Sequence, residues 1–182
     1  SAMAIALAKG FLMYTARLDV TPVEILRRLR VTLGSVLQGE NAPMTVLYAV
    51  VDGRNRSVRY ARSGTSPRIV INGNALAEEI VAGRAETGGL EIRHGAAALA
   101  PNDVLFFYTD GWSGQIVEQT RHVPEEFLRQ LTGRLPDASA EALHQAAIDA
   151  AMRRRRESPP DDVTTVVVRL EEMAAEAVGG IA

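Results

Sequence analysis

The sequence contains no cysteine, which removes disulfides and thiolate metal sites together. Histidine is scarce, and His94, His122 and His144 lie far apart without metal-ligand spacing. Any metal held here would need oxygen ligands, which points to a hard ion such as magnesium, manganese or calcium. Lysine is nearly absent: Lys9 is the only one, and the other basic residues are arginines, a codon-usage trait rather than a functional signal. Charge of one sign is lacking too, with a net charge of −2 and a pI near 5.9. No overall positive field is available to recruit nucleic acid or an anionic membrane. The most apolar early stretch, residues 2–18, is broken by Lys9, Gly10 and Arg17 and has no basic leading region. It is too short and interrupted to span a bilayer. The expectation is a soluble, cytoplasmic chain.

What is present fits one globular domain: 182 residues, 47% of them apolar, enough for a core of its own. The opening segment is alanine-rich and helical, with small side chains suited to close packing on a sheet. A second helix follows, with Thr21 as cap, Pro22 at the first position and Glu24 third after the cap. Val23, Leu26, Leu29 and Leu33 give it an apolar face, and Gly39 closes it. The period then changes. Residues 44–51 form an apolar run, Asp52-Gly53-Arg54-Asn55 reads as a turn and residues 57–62 as the return strand of a hairpin. Short strands are expected at 68–71, 76–81 and 89–93. A turn at Ala100-Pro101-Asn102-Asp103 leads into a buried strand over 104–109 that stops at Asp110-Gly111. Helices are predicted over 124–131, with two glutamates in the first turn, and over 139–156, ended by Ser158-Pro159-Pro160. A strong strand over 163–170 follows, then a tail. Domain limits of 1–170, with a flexible tail at 171–182, and an α+β fold with helices packed on sheet faces are the expectation.

Two acidic sites interrupt apolar strands at their ends. Asp110 follows one strand, and Asp161 and Asp162 precede another. If these strands pair antiparallel, three carboxylates crowd one rim, and a divalent cation would offset their repulsion. Gly111 lets the backbone turn there and could present a carbonyl oxygen as a further ligand. Asp-Gly after a strand is also an ordinary hairpin turn, as Asp52-Gly53 is read, and aspartates after Pro-Pro are ordinary turn residues. Spacing alone leaves the two readings open.

A resemblance bears on the choice. Leu99-Ala-Pro-Asn-Asp-Val-Leu-Phe-Phe-Tyr-Thr-Asp-Gly111 resembles the "L-x-P-G-D-x-L-x-x-Y-T-D-G" segment of the bacterial SpoIIE/RsbU-like phosphatases, members of the metal-dependent type-2C serine/threonine phosphatases. Pro160-Asp-Asp-Val-Thr-Thr-Val-Val-Val-Arg169 resembles their closing "D-D-x-T" strand. Val46-Leu-Tyr-Ala-Val-Val-Asp52 with Val58-Arg-Tyr-Ala-Arg-Ser-Gly64 resembles the hairpin ending "Y-A-x-A-G-H-x-P". The matches run in family order over about residues 1 to 170.

The resemblance implies a four-layer α-β-β-α sandwich of antiparallel sheets flanked by helices, here lacking its first strands. It implies that Asp110 and Asp161 are metal-binding and catalytic, with Asp162 a neighbour able to substitute. Two manganese or magnesium ions would activate a water for in-line attack on a phosphoserine or phosphothreonine. The implied substrate is a phosphorylated anti-sigma-factor antagonist in a partner-switching pathway. The family's opening "G-D-x-Y-D" and "D-V-x-G-H-G" segments would precede Ser1, so an N-terminally truncated domain with weak or no activity is expected. Its open sheet edges would favour a homodimer. Thr65 stands where the family often has histidine, and Trp112-Ser-Gly114 replaces an aliphatic-Thr-Glu.

Two rival readings remain: a catalytically inactive binding module on the same fold, and a calcium- or magnesium-stabilised structural domain. Arg153 to Arg156 are read as cations complementing a helix C-terminus. An arginine guiding phosphate to the metals is compatible with the sequence, which does not choose one. Trp112 is placed in a loop, either lining the site or anchoring it. Ser113 has no nearby histidine base and is not a nucleophile candidate.

Overall fold

The computed structural model describes residues 2–15, 20–36, 45–64, 68–75, 79–81, 91–120, 122–152 and 162–171. Helix α1 (Ala2–Thr15) is followed by α2 (Pro22–Val36), then strands β1 (Val46–Asp52), β2 (Ser57–Ser63), β3 (Arg68–Ile71), β4 (Asn74–Ala75), β5 (Glu79–Val81), β6 (Ile92–Ala98) and β7 (Val104–Tyr108). Helices α3 (Asp110–Thr120), α4 (Pro124–Arg134) and α5 (Ala140–Met152) then lead to β8 (Thr165–Arg169). The strands form two sheets, ordered β1-β2-β6-β5 and β4-β3-β7-β8, and every pairing is antiparallel.

Side-chain alternation explains the stacking. On β2, Val58 and Tyr60 point one way and Ala61 the other, as the period of two requires. Val58 and Tyr60 meet Ile69, Leu105 and Leu170 in a core between the sheets. Ala61 and Ile92 receive Leu26, Leu29 and Leu33 of α2 on the outer face of the first sheet. On β7, Leu105 joins the core between the sheets, while Val104, Phe106 and Tyr108 meet Trp112, Ile116, Leu128, Leu143 and Ala147 from the three later helices. The result is the expected four-layer α-β-β-α sandwich.

Several local expectations hold. The Glu24 amide donates to Thr21 Oγ1 at 3.3 Å, and the Ala142 amide to Ser139 Oγ at 3.1 Å, so both predicted caps form. Asp52 is a turn residue: its carboxylate accepts from the Arg54 and Asn55 amides at 3.0 and 2.9 Å. Those bonds, the Asn55 amide first, hold its pKa below the usual carboxylate range. α1 packs on α2, adding Leu7, Ala8 and Phe11 to the cluster that α2 forms with Ala61 and Ile92 of the first sheet and leaving Ile5, Met13 and Tyr14 exposed. The strand expected over 89–93 runs on to Ala98, because Gly95 and three alanines hid its extent. Residues 37–44, 76–78, 153–161 and 172–182 lie outside the described residues, and with them the Gly39 stop, the Arg153 to Arg156 run, the Pro159-Pro160 stop and the tail.

The rim formed by the turns after β3 and before β7 is held by polar side chains. Asn72 has a positive φ of 49°; its Nδ2 donates to Asp103 at 2.7 Å and its Oδ1 accepts from the Val104 amide at 2.8 Å. Next to it Gly73 has φ 78°. A Cβ there would lie 2.3 Å from the Arg129 amide nitrogen and 2.6 Å from the Glu125 carbonyl of α4. Gly73→Ala therefore combines left-handed strain with overpacking against helix backbone, and should cost about 2–4 kcal/mol. Urea unfolding of the variant checks this, read from the single tryptophan's fluorescence.

Candidate functional site

The opposite rim carries the candidate chemistry. β7 and β8 pair with Tyr108 opposite Thr165, and the pairing continues past the strands: the Thr109 amide donates to the Thr164 carbonyl at 3.1 Å. The Thr109 hydroxyl closes the gap, donating to the Asp162 carbonyl at 3.2 Å and accepting from the Thr164 amide at 3.1 Å. The end of one strand thus lies against the start of the other, and Asp110 and Asp162, both exposed, come to the same rim. Asp161 lies outside the described residues.

Past Thr109 the chain does not turn back as a hairpin. It enters α3, whose first residue is Asp110. The Thr109 carbonyl accepts from the Trp112 and Ser113 amides, both at 3.1 Å. Asp110 therefore sits at a helix N-terminus, where a negative charge is favoured by about 0.3–1 kcal/mol. Gly111 is buried in the first turn, where a helical carbonyl is directed along the axis toward residue 115. The exposed oxygen donors are then the two aspartate side chains. The Ser113 hydroxyl bonds the Asp110 carbonyl at 3.1 Å and is spent on the helix start.

Trp112 corrects the sequence reading. It lies in α3, not in a loop, and is 0% exposed. Its indole Nε1 donates to the Ala147 carbonyl of α5 at 3.1 Å, and its ring packs on Tyr108 and Phe127 at centroid distances of 5.1 and 6.1 Å. It anchors the turn that carries Asp110 and does not line the rim. Gly111 and Gly114, poor helix formers, concealed α3 in the sequence.

Beside the tryptophan, the Tyr108 hydroxyl donates to Glu125 at 2.8 Å, and Arg68 stands 3.7 Å from the same carboxylate. Burial, then the bond to Glu125 and its charge, push the Tyr108 phenol above its ordinary value, with Asp110 adding to the effect and Arg68 opposing it. Tyr108 thus stays a protonated donor that ties β7 to the first turn of α4.

A hard divalent cation suits this rim in kind, because the donors are carboxylate oxygens. It suits it only partly in number: among the described residues no group of three or more histidine, cysteine, aspartate or glutamate side chains is gathered. Nor is any described helix long and apolar enough to cross a membrane.

The sequence profile of the family described as "Stage II sporulation protein E (SpoIIE)" matches residues 1–171. A comparison with curated proteins gives no match. Among solved structures, the chain is similar to the phosphatase domain of the cell fate determinant SpoIIE from Bacillus subtilis (Mn presoaked), with 17% identity and a TM-score of 0.57, covering 96% of this chain and 76% of that one. It is similar to the RsbU and RsbW domains of Rv1364c from Mycobacterium tuberculosis, with 20% identity and a TM-score of 0.65, covering 92% of this chain and 47% of that one. The SiaA-PP2C domain of Pseudomonas aeruginosa gives 22% identity and a TM-score of 0.65, covering 92% of this chain and 69% of that one. At these identities the likeness shows the fold.

If Trp112 is the anchor of α3, Trp112→Ala should destabilise the domain by about 3–5 kcal/mol. Thermal unfolding followed by far-ultraviolet circular dichroism measures this. A site-lining tryptophan would leave the midpoint nearly unchanged.

Proposed function

Because this chain belongs to the SpoIIE family, we propose that it is a metal-dependent protein serine/threonine phosphatase domain of a bacterial signalling protein. The observation that carries the reading is the meeting of Asp110 and Asp162 at one rim, sewn together through Thr109. Asp110 and Asp162, with Asp161 beside the latter in sequence, would hold manganese or magnesium. The bound metal would supply a water of lowered pKa for attack on phosphorus and would offset charge on the phosphoryl oxygens. The protein's own part is to fix the carboxylates: Thr109 sets the spacing of the two chain segments, and the first turn of α3 carries Asp110.

The substrate we infer is a phosphoserine or phosphothreonine on a small regulatory protein of the anti-sigma-factor-antagonist type, acting in the cytoplasm. Support comes from the family match and from the ordered motifs around Asp110 and Asp162. β1 and β8 are edge strands among the described residues, and Val166 of β8 is 51% exposed. Such edges support self-association as a homodimer.

A second reading has its own observation. With no group of three ligating side chains among the described residues, the domain would bind a partner without catalysis. One experiment separates the two: manganese-dependent phosphate release from a phosphoserine protein, by this chain and by its Asp110→Asn variant. Loss of a group behind a metal ligand already costs roughly 10- to 100-fold, so loss of the ligand should lower the rate by at least about 100-fold. Equal rates in both would remove Asp110 from the chemistry, and no release from either would favour the binding module.

A further inference from the structure

Helix α3 presents an exposed face that begins at the rim. Asp110, Gly114 and Val117 are all exposed, and their spacing of i, i+4 and i+7 places them in one row. Trp112 and Ile116 hold the opposite face in the core. At about 1.5 Å of rise per residue, Gly114 stands about 6 Å and Val117 about 10 Å along the axis from Asp110.

Three features of this face are unused by the chain's own packing. Gly114 lies inside the helix, where glycine is less favourable than alanine. A Cβ there would meet nothing within 4 Å, whereas at Gly73 it would strike the backbone of α4. Nor does Gly114 have the positive φ of Gly64 and Gly73. Neither space nor backbone conformation within the chain calls for glycine at this position. Beside it, Gln115 is 8% exposed. Its amide has no hydrogen-bond partner among the described residues, although buried amides are ordinarily paired. A helical side chain leans over the turn before it, so this amide is carried back toward Gly111 and the start of α3. Val117 is apolar and 47% exposed. Each feature alone is ordinary for a surface. In consecutive turns beside Asp110 they make a strip with a missing side chain, an available amide and an apolar contact.

The rim determines what covers this strip. A protein that presents a phosphate at Asp110 covers about 800 Å² of its partner if the contact is of ordinary size. A round patch of that area reaches about 16 Å from its centre, beyond both Gly114 and Val117. An extended chain advances about 3.3–3.6 Å per residue, so the second and third residues from a phosphoserine fall level with Gly114 and Val117. A main chain can approach a helix closely where no Cβ intervenes. A glutamine amide offers both a donor and an acceptor to a peptide C=O and N–H.

From this geometry we infer that the face of α3 carrying Asp110, Gly114 and Val117 is the docking strip for an extended, phosphoserine-bearing segment of the substrate protein. Gly114 is the point of close approach, Gln115 holds the segment's main chain, and Val117 takes an apolar side chain three residues from the phosphoserine. The assignment deepens the phosphatase reading and rests on it for the presence of a phosphorylated partner.

The test compares two substrates in the presence of manganese. One is p-nitrophenyl phosphate, too small to reach Gly114; the other is a short phosphoserine peptide with a leucine three residues away on each side. Gly114→Ala should raise the thermal midpoint by about 2–4 °C, because the fold gains helix propensity. Gly114→Gln, which places a long side chain on the strip, should raise the ratio of peptide KM to ester KM by at least about tenfold. Val117→Ser should raise the same ratio by about threefold to tenfold. A lower midpoint in Gly114→Ala would show that the glycine serves the fold and would overturn the assignment. So would a ratio that Gly114→Gln leaves unchanged, or hydrolysis of the ester without the peptide by the wild-type chain. If the wild-type chain hydrolyses neither, the enzymatic reading falls, and calorimetry with the same peptide decides the strip alone. Binding that Gly114→Gln weakens sustains it; no binding, or binding that Gly114→Gln leaves unchanged, overturns it.

Discussion

The site depends on how β7 and β8 go on pairing after both have ceased to be strands. A sheet ladder normally ends where the chains diverge, and the residues beyond it are placed only loosely. Here the Thr109 side chain replaces the ladder with two further bonds, one to the Asp162 carbonyl and one from the Thr164 amide. One hydroxyl, acting as donor and acceptor, fixes two chain segments that are 53 residues apart in sequence. Without it, Asp110 and Asp162 would share a rim but not a spacing.

Spacing alone would not hold Asp110 still, because it is the first residue of a helix and helix ends fray. The core supplies the remaining constraint. Trp112, two residues on, is locked between Tyr108, Phe127 and the Ala147 carbonyl, and Tyr108 is itself tied to α4 through Glu125. The first turn of α3 is thus pinned on its buried side by an aromatic cluster and at its start by Thr109. An exposed carboxylate on a rigid base is what a ligand-binding position requires.

Much of this was legible in the sequence, for reasons that differ by element. The hairpin of β1 and β2 announces itself through the apolar run over 46–51 and through Asp52, whose bonds to Arg54 and Asn55 form the turn its residue types suggest. Thr21 and Ser139 cap the helices they precede, because a side-chain oxygen three residues ahead of an amide has few other uses. The meeting of Asp110 with Asp162 follows from antiparallel pairing of two apolar strands. α3 was illegible because Gly111 and Gly114 lower its helix propensity and Trp112 followed a common turn dipeptide; burial of the indole outweighs both. The full length of β6 was hidden by Gly95 and its alanines, which pair well but carry no alternating signal. The cross-strand pairing of Arg62 with Arg93 was illegible for another reason. Arg62 and Arg93 are 31 residues apart, and only the register of β2 against β6 makes them neighbours.

The same pairing of β7 with β8 bears on what the rim could hold. Carboxylates brought to one end of a sheet raise the local negative potential, which favours a divalent cation over a neutral ligand. A helix that starts at one of them and a threonine that fixes the other's chain segment keep that potential in one place. The pairing that brings the charges together is thus what would make the rim a place for a cation.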